Sequence, residues 1–204
     1  MNIVYIHGFK SAGGGSKYDM LKSYFKDTEI NIYAPTLPAQ PSKAIGQLRS
    51  LIKGLKGPVI VVGTSLGGFY ALYCASKLET VSFVINPSLE PVITLVSKIG
   101  AHTRYGGGDY VFKSEYIDEL KTIFDDTYPV PGNNVHIYIS NDDAILTYDK
   151  LNSYIPYRKT LKRFDDSGHR FSRFSEILPD IKEVVEELST LQEMLNYGLH
   201  YDIL

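Results

Sequence analysis

The chain has 204 residues, enough for one domain or a compact domain with an insertion, and its 44% hydrophobic and 22% charged content lies near globular averages. A net charge of −2 supplies no overall positive field, which excludes a general attraction to nucleic acid or anionic membrane. No run approaches about 18 continuous apolar residues, so no membrane span is expected, and the lone Cys74 cannot form an internal disulfide.

In chain order, Ile3 to Ile6 reads as a first strand. It begins at once, with no basic leader or small-residue cleavage site, so the expected location is the cytoplasm. A helix over Lys17 to Phe25 follows a Gly13-Gly14-Gly15 loop, with Ser16 as its expected cap. That loop lacks the spacing of either phosphate-binding glycine motif. The next elements are a strand over Glu29 to Tyr33, a helix over Ser42 to Lys53, a strand over Val59 to Val62, a helix over Leu66 to Lys77 and a strand over Val81 to Ile85. Further strands are expected over Val135 to Ser140 and Arg158 to Phe164. Further helices are expected over Tyr148 to Tyr154 and from about Pro179 to Asn196, with Gly198 as C-cap.

Near-continuous apolar strands alternating with helices predict an α/β fold, a mainly parallel six-stranded sheet covered on both faces. The whole chain, 1–204, is expected to be one domain. One connection is too long for an ordinary βα loop: residues 87–134 hold a helix over Glu115 to Phe124, the Gly106-Gly107-Gly108 run and many aromatics. Leaving the C-terminal end of a strand, this excursion is expected to form a cap over the sheet edge where ligands bind in open α/β sheets. Tyr105, Tyr110, Phe112 and Tyr116 are its candidate pocket residues.

The chemistry is proposed by Gly63-Thr64-Ser65-Leu66-Gly67, set between the Val59 to Val62 run and an apolar helix. Strand, Gly-x-Ser-x-Gly turn and helix make a nucleophile elbow, in which flanking glycines avoid Cβ clashes with adjacent backbone and Ser65 is lifted above the sheet. Gly68 is expected where the helix packs close to its strand. Cys74, in the same helix, is expected to be buried and unreactive.

A serine hydroxyl needs a base, and the base needs a carboxylate that holds its tautomer. Of the five histidines, His169 lies after the last strand and before the final helix, where the base belongs. His7 reads as a structural hydrogen-bonding group, His136 lies within a strand, His102 in the excursion and His200 in the tail. The loop after Val135 to Ile139 offers Asp142 and Asp143. Asp143 is favoured because Ile145, two positions on, would anchor the loop, whereas Asp142 has Ala144 there. Backbone donors for an oxyanion are expected at Leu66, after the nucleophile, and at Phe9, after the first strand. No clustered metal-ligand spacing occurs, and neither metal nor cofactor is expected.

Taken together, these residues resemble the small bacterial YqiA-like esterases of the α/β-hydrolase superfamily. Tyr5-Ile6-His7-Gly8-Phe9 is similar to that family's Tyr-Leu-His-Gly-Phe opening, and Leu37-Pro38 with Pro41-Ser42 to its proline-rich segment. Gly63 to Tyr70 matches its elbow, with Phe69 at the first tyrosine of the family pattern. Asn86-Pro87, the cap residues Tyr105, Gly107, Tyr110-Val111, Ile117 and Leu120-Lys121, and Gly168-His169 with Phe171 fall at family spacing. The resemblance implies a compact sheet without the first two strands of larger relatives. It also implies an esterase triad of Ser65, Asp143 and His169. The chain departs from the family at the acid loop, where Asp142-Asp143-Ala144 stands for Gly-Asp-Glu.

The expected activity is hydrolysis of small-molecule carboxylic esters of short to medium acyl chain through an acyl-enzyme on Ser65. Acyl thioester cleavage and a non-catalytic module that binds an apolar ligand are the alternatives. The sequence leaves the oligomeric state open. The tail residues Leu199, Tyr201, Ile203 and Leu204 are expected to dock on the body or on another subunit.

Overall fold

A computed structural model describes residues 1–196. The expectations for Gly198, Leu199, His200, Tyr201, Ile203 and Leu204 lie outside the described residues.

Six strands, β1 (Asn2–Ile6), β2 (Asn31–Tyr33), β3 (Val59–Thr64), β4 (Val81–Ile85), β7 (Val135–Ser140) and β8 (Thr160–Phe164), form one sheet in the order β2-β1-β3-β4-β7-β8. Every pairing in it is parallel. Strand alternation divides the core into two layers. Val4, Ile6, Val61, Val84 and Ile137 face α2 (Pro41–Gly54) and α3 (Leu66–Lys77), whereas Ile3, Tyr5, Ile60, Val62 and Phe83 face α1 (Ser16–Tyr24) and α7 (Leu178–Asn196). The helices follow from sequence. Pro41 starts α2, where its missing N–H costs nothing, and α3 is buried over Leu66 to Ala75, as a helix clamped between sheet and excursion must be. Ser16 is the first helical residue of α1 and not its cap, since the cap position is Gly15 with φ 83°. A left-handed conformation there suits glycine.

The excursion after β4 is structured throughout most of its length. It contains the short helix α4 (Pro91–Leu95), an antiparallel hairpin of β5 (Gly100–Thr103) and β6 (Asp109–Phe112), and α5 (Glu115–Thr127). Leu120 and Ile123 of α5 join the α2–α3 core layer. On the same helix, Glu119 caps α2 from outside it, accepting from the Ser42 amide at 2.9 Å and the Gln40 side chain at 2.7 Å. The hairpin rests on the loop after β1. Phe9 meets His102, Tyr110 and Phe112 edge-on at centroid distances of 5.1, 5.9 and 5.4 Å, and the Tyr105 amide donates to the Lys10 carbonyl at 2.7 Å. α6 (Leu151–Tyr154) is a single turn, shorter than the helix expected from Tyr148. Among the described residues no helix is long and apolar enough to cross a membrane.

Candidate active site

At the end of β3 the chain turns sharply, and Ser65 sits at φ 54°, ψ −120°. A non-glycine residue held there stores on the order of 1–3 kcal/mol of backbone strain, which the surrounding packing must sustain. The close approaches explain the glycines. A Cβ on Gly63 would lie 2.2 Å from the Gly67 carbonyl oxygen, and one on Gly67 would lie 2.2 Å from that of Ile6. Gly68 is required by a different neighbour from the one expected: its Cβ would stand 2.8 Å from Pro87 Cα, in the loop after β4, because that loop crosses over the start of α3. The same loop brackets the turn, since Ser65 N–H donates to the Ile85 carbonyl and the Ser88 amide donates to the Ser65 carbonyl, each at 3.0 Å. Gly8 faces the serine from the other side, and a Cβ there would lie 3.3 Å from Ser65 Cβ.

His169 lies against Asp143, with Nδ1 3.0 and 2.9 Å from the two carboxylate oxygens. The Asp143 side chain is 1% exposed and that of His169 24%. Burial pushes the Asp143 carboxyl up. The His169 ring and the amides of Ile145 and Leu146, at 2.9 and 3.0 Å, outweigh that and hold it below the ordinary carboxylate value. Its anionic form therefore fixes the proton on Nδ1 and leaves Nε2 as the basic nitrogen. Among the described residues no hydrogen bond joins the Ser65 hydroxyl to this ring.

Asp142 takes another task. Its Oδ1 accepts from the Ser140 hydroxyl and from the amides of Gly168 and Ser167 at 3.0 and 3.1 Å, clamping the loop that carries His169. The Ser140 hydroxyl and then these amides hold its pKa down to about 2. Asp143 meets His169 without the anchor that favoured it in the sequence. Ile145 is 64% exposed, and Leu146 is the buried side chain of the loop. The chain turns back at Asp143, so the backbone N–H of Ile145, not its side chain, grips the carboxylate.

Two residues at this site were not among the expected site residues. Asn86, buried with φ 42°, accepts from the Ser140 amide at 2.7 Å and donates to the carbonyls of Gly168 and His169 at 2.9 and 3.1 Å. One side chain thereby ties the end of β4 to both the loop of Asp143 and the loop of His169. An Asn directly after a strand and before proline fits a left-handed position, but its partners are more than 50 residues away. Tyr148 donates to Asp143 Oδ2 at 3.2 Å, and burial followed by the charge of Asp143 raises its phenol pKa, so it stays a donor.

A cavity of about 30 Å³ opens beside the elbow, lined by Gly8, Phe9 and Leu66 together with Leu37, Tyr70, Tyr110 and Phe112 among others. Leu66 is the first residue of α3, so its N–H is one that a helix leaves without an internal partner. Two of the four expected pocket residues do not line this cavity. Tyr116 meets Phe112 edge-on at 5.6 Å, and Tyr105 is 61% exposed. His7 lies in the cavity wall as a structural group: Nδ1–H donates to the Gly8 carbonyl at 2.9 Å and Nε2 accepts from the Leu37 amide at 3.0 Å, which defines a single neutral tautomer. His102 contacts the Lys98 carbonyl, and His136 stacks on Phe83 at 4.4 Å, both away from the elbow. Cys74 is buried, and burial pushes its thiol up to about 12, which makes it inert. Among the described residues no group of three His, Cys, Asp or Glu side chains is placed to hold a metal ion.

A six-stranded parallel sheet with helices on both faces and a strained serine turn after its central strand is the α/β-hydrolase fold. Its solved relatives include mouse α/β-hydrolase domain-containing protein 10, 16% identical with a TM-score of 0.72 over 92% of this chain and 90% of that one. Another is Est1E of Butyrivibrio proteoclasticus in a structure with ferulic acid bound, 14% identical with a TM-score of 0.70 over 93% and 89%. The chain belongs to the uncharacterised protein family UPF0227, which matches residues 2–186. A UPF0227 protein of Pasteurella multocida is 20% identical over 184 residues, 88% of this chain and 97% of its own length.

Proposed function

We propose that the chain is a serine esterase acting on small carboxylic esters. The reading rests above all on one observation, the contact of His169 Nδ1 with a buried, anionic Asp143. In this mechanism His169 Nε2 takes the Ser65 proton as Oγ attacks the acyl carbonyl. The amides of Phe9 and Leu66 hold the oxyanion, and the alcohol leaves with the proton from His169. Water then enters and attacks the acyl carbon as His169 takes its proton, and the acid is released as His169 returns that proton to Ser65 Oγ. The Ser65–His169 bond closes when substrate binds, as such bonds are often loose in free enzymes.

The apolar lining of the small cavity, with Phe9, Leu37, Tyr70 and Phe112, supports an apolar acyl chain of modest length. Residues 87–134 serve as a cap within one domain, because the hairpin packs on Phe9 and roofs that cavity. The single buried thiol suits a reducing compartment such as the cytoplasm.

A fluorophosphonate probe tests the reading directly. The expected result is one covalent adduct on Ser65, absent in Ser65→Ala. Folded wild-type protein that takes no adduct and cleaves no p-nitrophenyl acetate overturns it.

A further inference from the structure

The overall charge is slightly negative, yet cations gather around this one site. Among the described residues five lysine or arginine side chains are half-buried: Lys10, Lys17, Arg104, Arg158 and Arg173. Arg173 is paired with Glu176, and Arg158 bonds Asn152 and the Ile155 carbonyl. Of the other three, Lys10 and Arg104 line the cavity, and Lys17 stands beside exposed Arg170. None of these four has a carboxylate within ion-pair distance among the described residues.

Their placement follows the reacting groups. Lys10 succeeds Phe9 and lines the cavity with Arg104, and Arg170 succeeds His169. The Lys10 ammonium and the Arg170 guanidinium lie 6.0 and 5.6 Å from the centroid of the same ring, that of Tyr105. Lys17 stands beside them, donating to the Arg170 carbonyl, and burial followed by the charge of Arg170 depresses its ammonium. Arg104 is stretched over the Tyr110 ring at 4.6 Å and donates to the carbonyls of Ser11 and Leu37 at 2.7 and 3.0 Å. Those acceptors orient the guanidinium but leave its charge uncompensated. Burying unpaired cations is costly and crowding them adds to the cost, so an anion brought by a ligand would be held strongly there.

We propose that Lys10, Arg104 and Arg170 form an anion subsite that binds a carboxylate or phosphate carried by the substrate's alcohol portion. This rests on the esterase reading above. The alcohol side is indicated because His169, the neighbour of Arg170, is the group that protonates the leaving oxygen.

The test compares acetyl esters of 4-hydroxybenzoate, 4-hydroxyphenyl phosphate and neutral 4-hydroxybenzamide. Calorimetric titration with benzoate, phenyl phosphate and benzamide runs alongside and needs no turnover. The expected kcat/KM favours one of the anionic esters over the amide by about tenfold or more. That ratio shrinks in Lys10→Gln and Arg170→Gln, and with added salt. The carboxylate and phosphate arms show which anion is preferred. Equal rates for all three esters, with equal binding of benzoate, phenyl phosphate and benzamide, overturn the subsite while leaving the esterase reading intact. Should no ester be cleaved while an anion binds at least about tenfold more tightly than benzamide, and less tightly in Lys10→Gln, the esterase reading falls and the subsite stands.

Discussion

The carboxamide nitrogen of Asn86 lies 3.1 Å from the carbonyl oxygen of His169, while the oxygen of the same side chain accepts the Ser140 amide at 2.7 Å. The loops bearing His169 and Asp143 are therefore held by one residue. Asn86→Ala leaves the Ser140 amide and two loop carbonyls without their partner. We expect a loss of about 2–4 kcal/mol in stability and a fall in kcat larger than any rise in KM, read by thermal unfolding and steady-state kinetics. Asn86→Asp keeps the acceptor but sets a carboxylate against two carbonyls, and its kcat should fall as well. A change in KM alone would show that Asn86 does not set the geometry of the pair.

The two aspartates should separate cleanly. Asp143→Asn faces Nδ1 with a group that can force the wrong tautomer, and kcat/KM should drop by about 10³–10⁴. Asp142→Asn weakens only the clamp on the His169 loop, for a loss of about tenfold or less. The reverse order would move the acid role to Asp142.

Acid should release that clamp late. The folded-state pKa of Asp142 is depressed to about 2, so its contribution is complete above the ordinary aspartate value near 4 and disappears as pH falls from there towards 2. The difference in unfolding midpoint between wild type and Asp142→Asn should be present at pH 6 and vanish at the acid end.

A second pH effect comes from His136. Burial and then the charge of Lys159 push its pKa down to about 4, so the folded chain keeps it neutral while the unfolded chain takes up a proton near 6.5. Its contribution is whole above about 6.5 and declines down to about 4, a loss of roughly 2–3 kcal/mol. Denaturant unfolding at pH 7, 5 and 4 should show this decline, and His136→Leu should flatten it.

Ser65 carries strain that glycine would not. Ser65→Gly should remove activity and raise stability by about 1 kcal/mol, seen as a higher Tm. A lower Tm would mean that the hydroxyl contributes more to stability than the strained backbone costs.

Much of the fold was legible because it rests on local pattern. Apolar runs at Val59 to Val62 and Val81 to Ile85 mark buried parallel strands, and Pro41 marks a helix start. The β5–β6 hairpin was not legible: burial alternates along both strands, but the apolar Val111 falls on the exposed side at 53% and Gly100-Ala101-His102-Thr103 carries no apolar-polar alternation in sequence. In the candidate site, chain order pointed to the loops that meet, but contacts across more than 20 residues left no trace in pattern. The choice of Asp143 shows the limit. It meets His169 through a turn of the backbone, whereas the Ile145 side chain on which the choice leaned points to solvent. Composition alone does not tell which aromatics of the excursion face the cavity: Tyr105 lies in the turn between β5 and β6, and Tyr116 lies in the first turn of α5.

Four consecutive residues at the end of β4 touch every part of the site. Ile85 takes the Ser65 amide, Asn86 joins the acid and base loops, Pro87 fills the hollow over Gly68, and Ser88 returns to the Ser65 carbonyl. They act as a common datum, so positional error does not accumulate from strand to strand across the sheet. Damage at this tetrapeptide would misplace Ser65, His169 and Asp143 together.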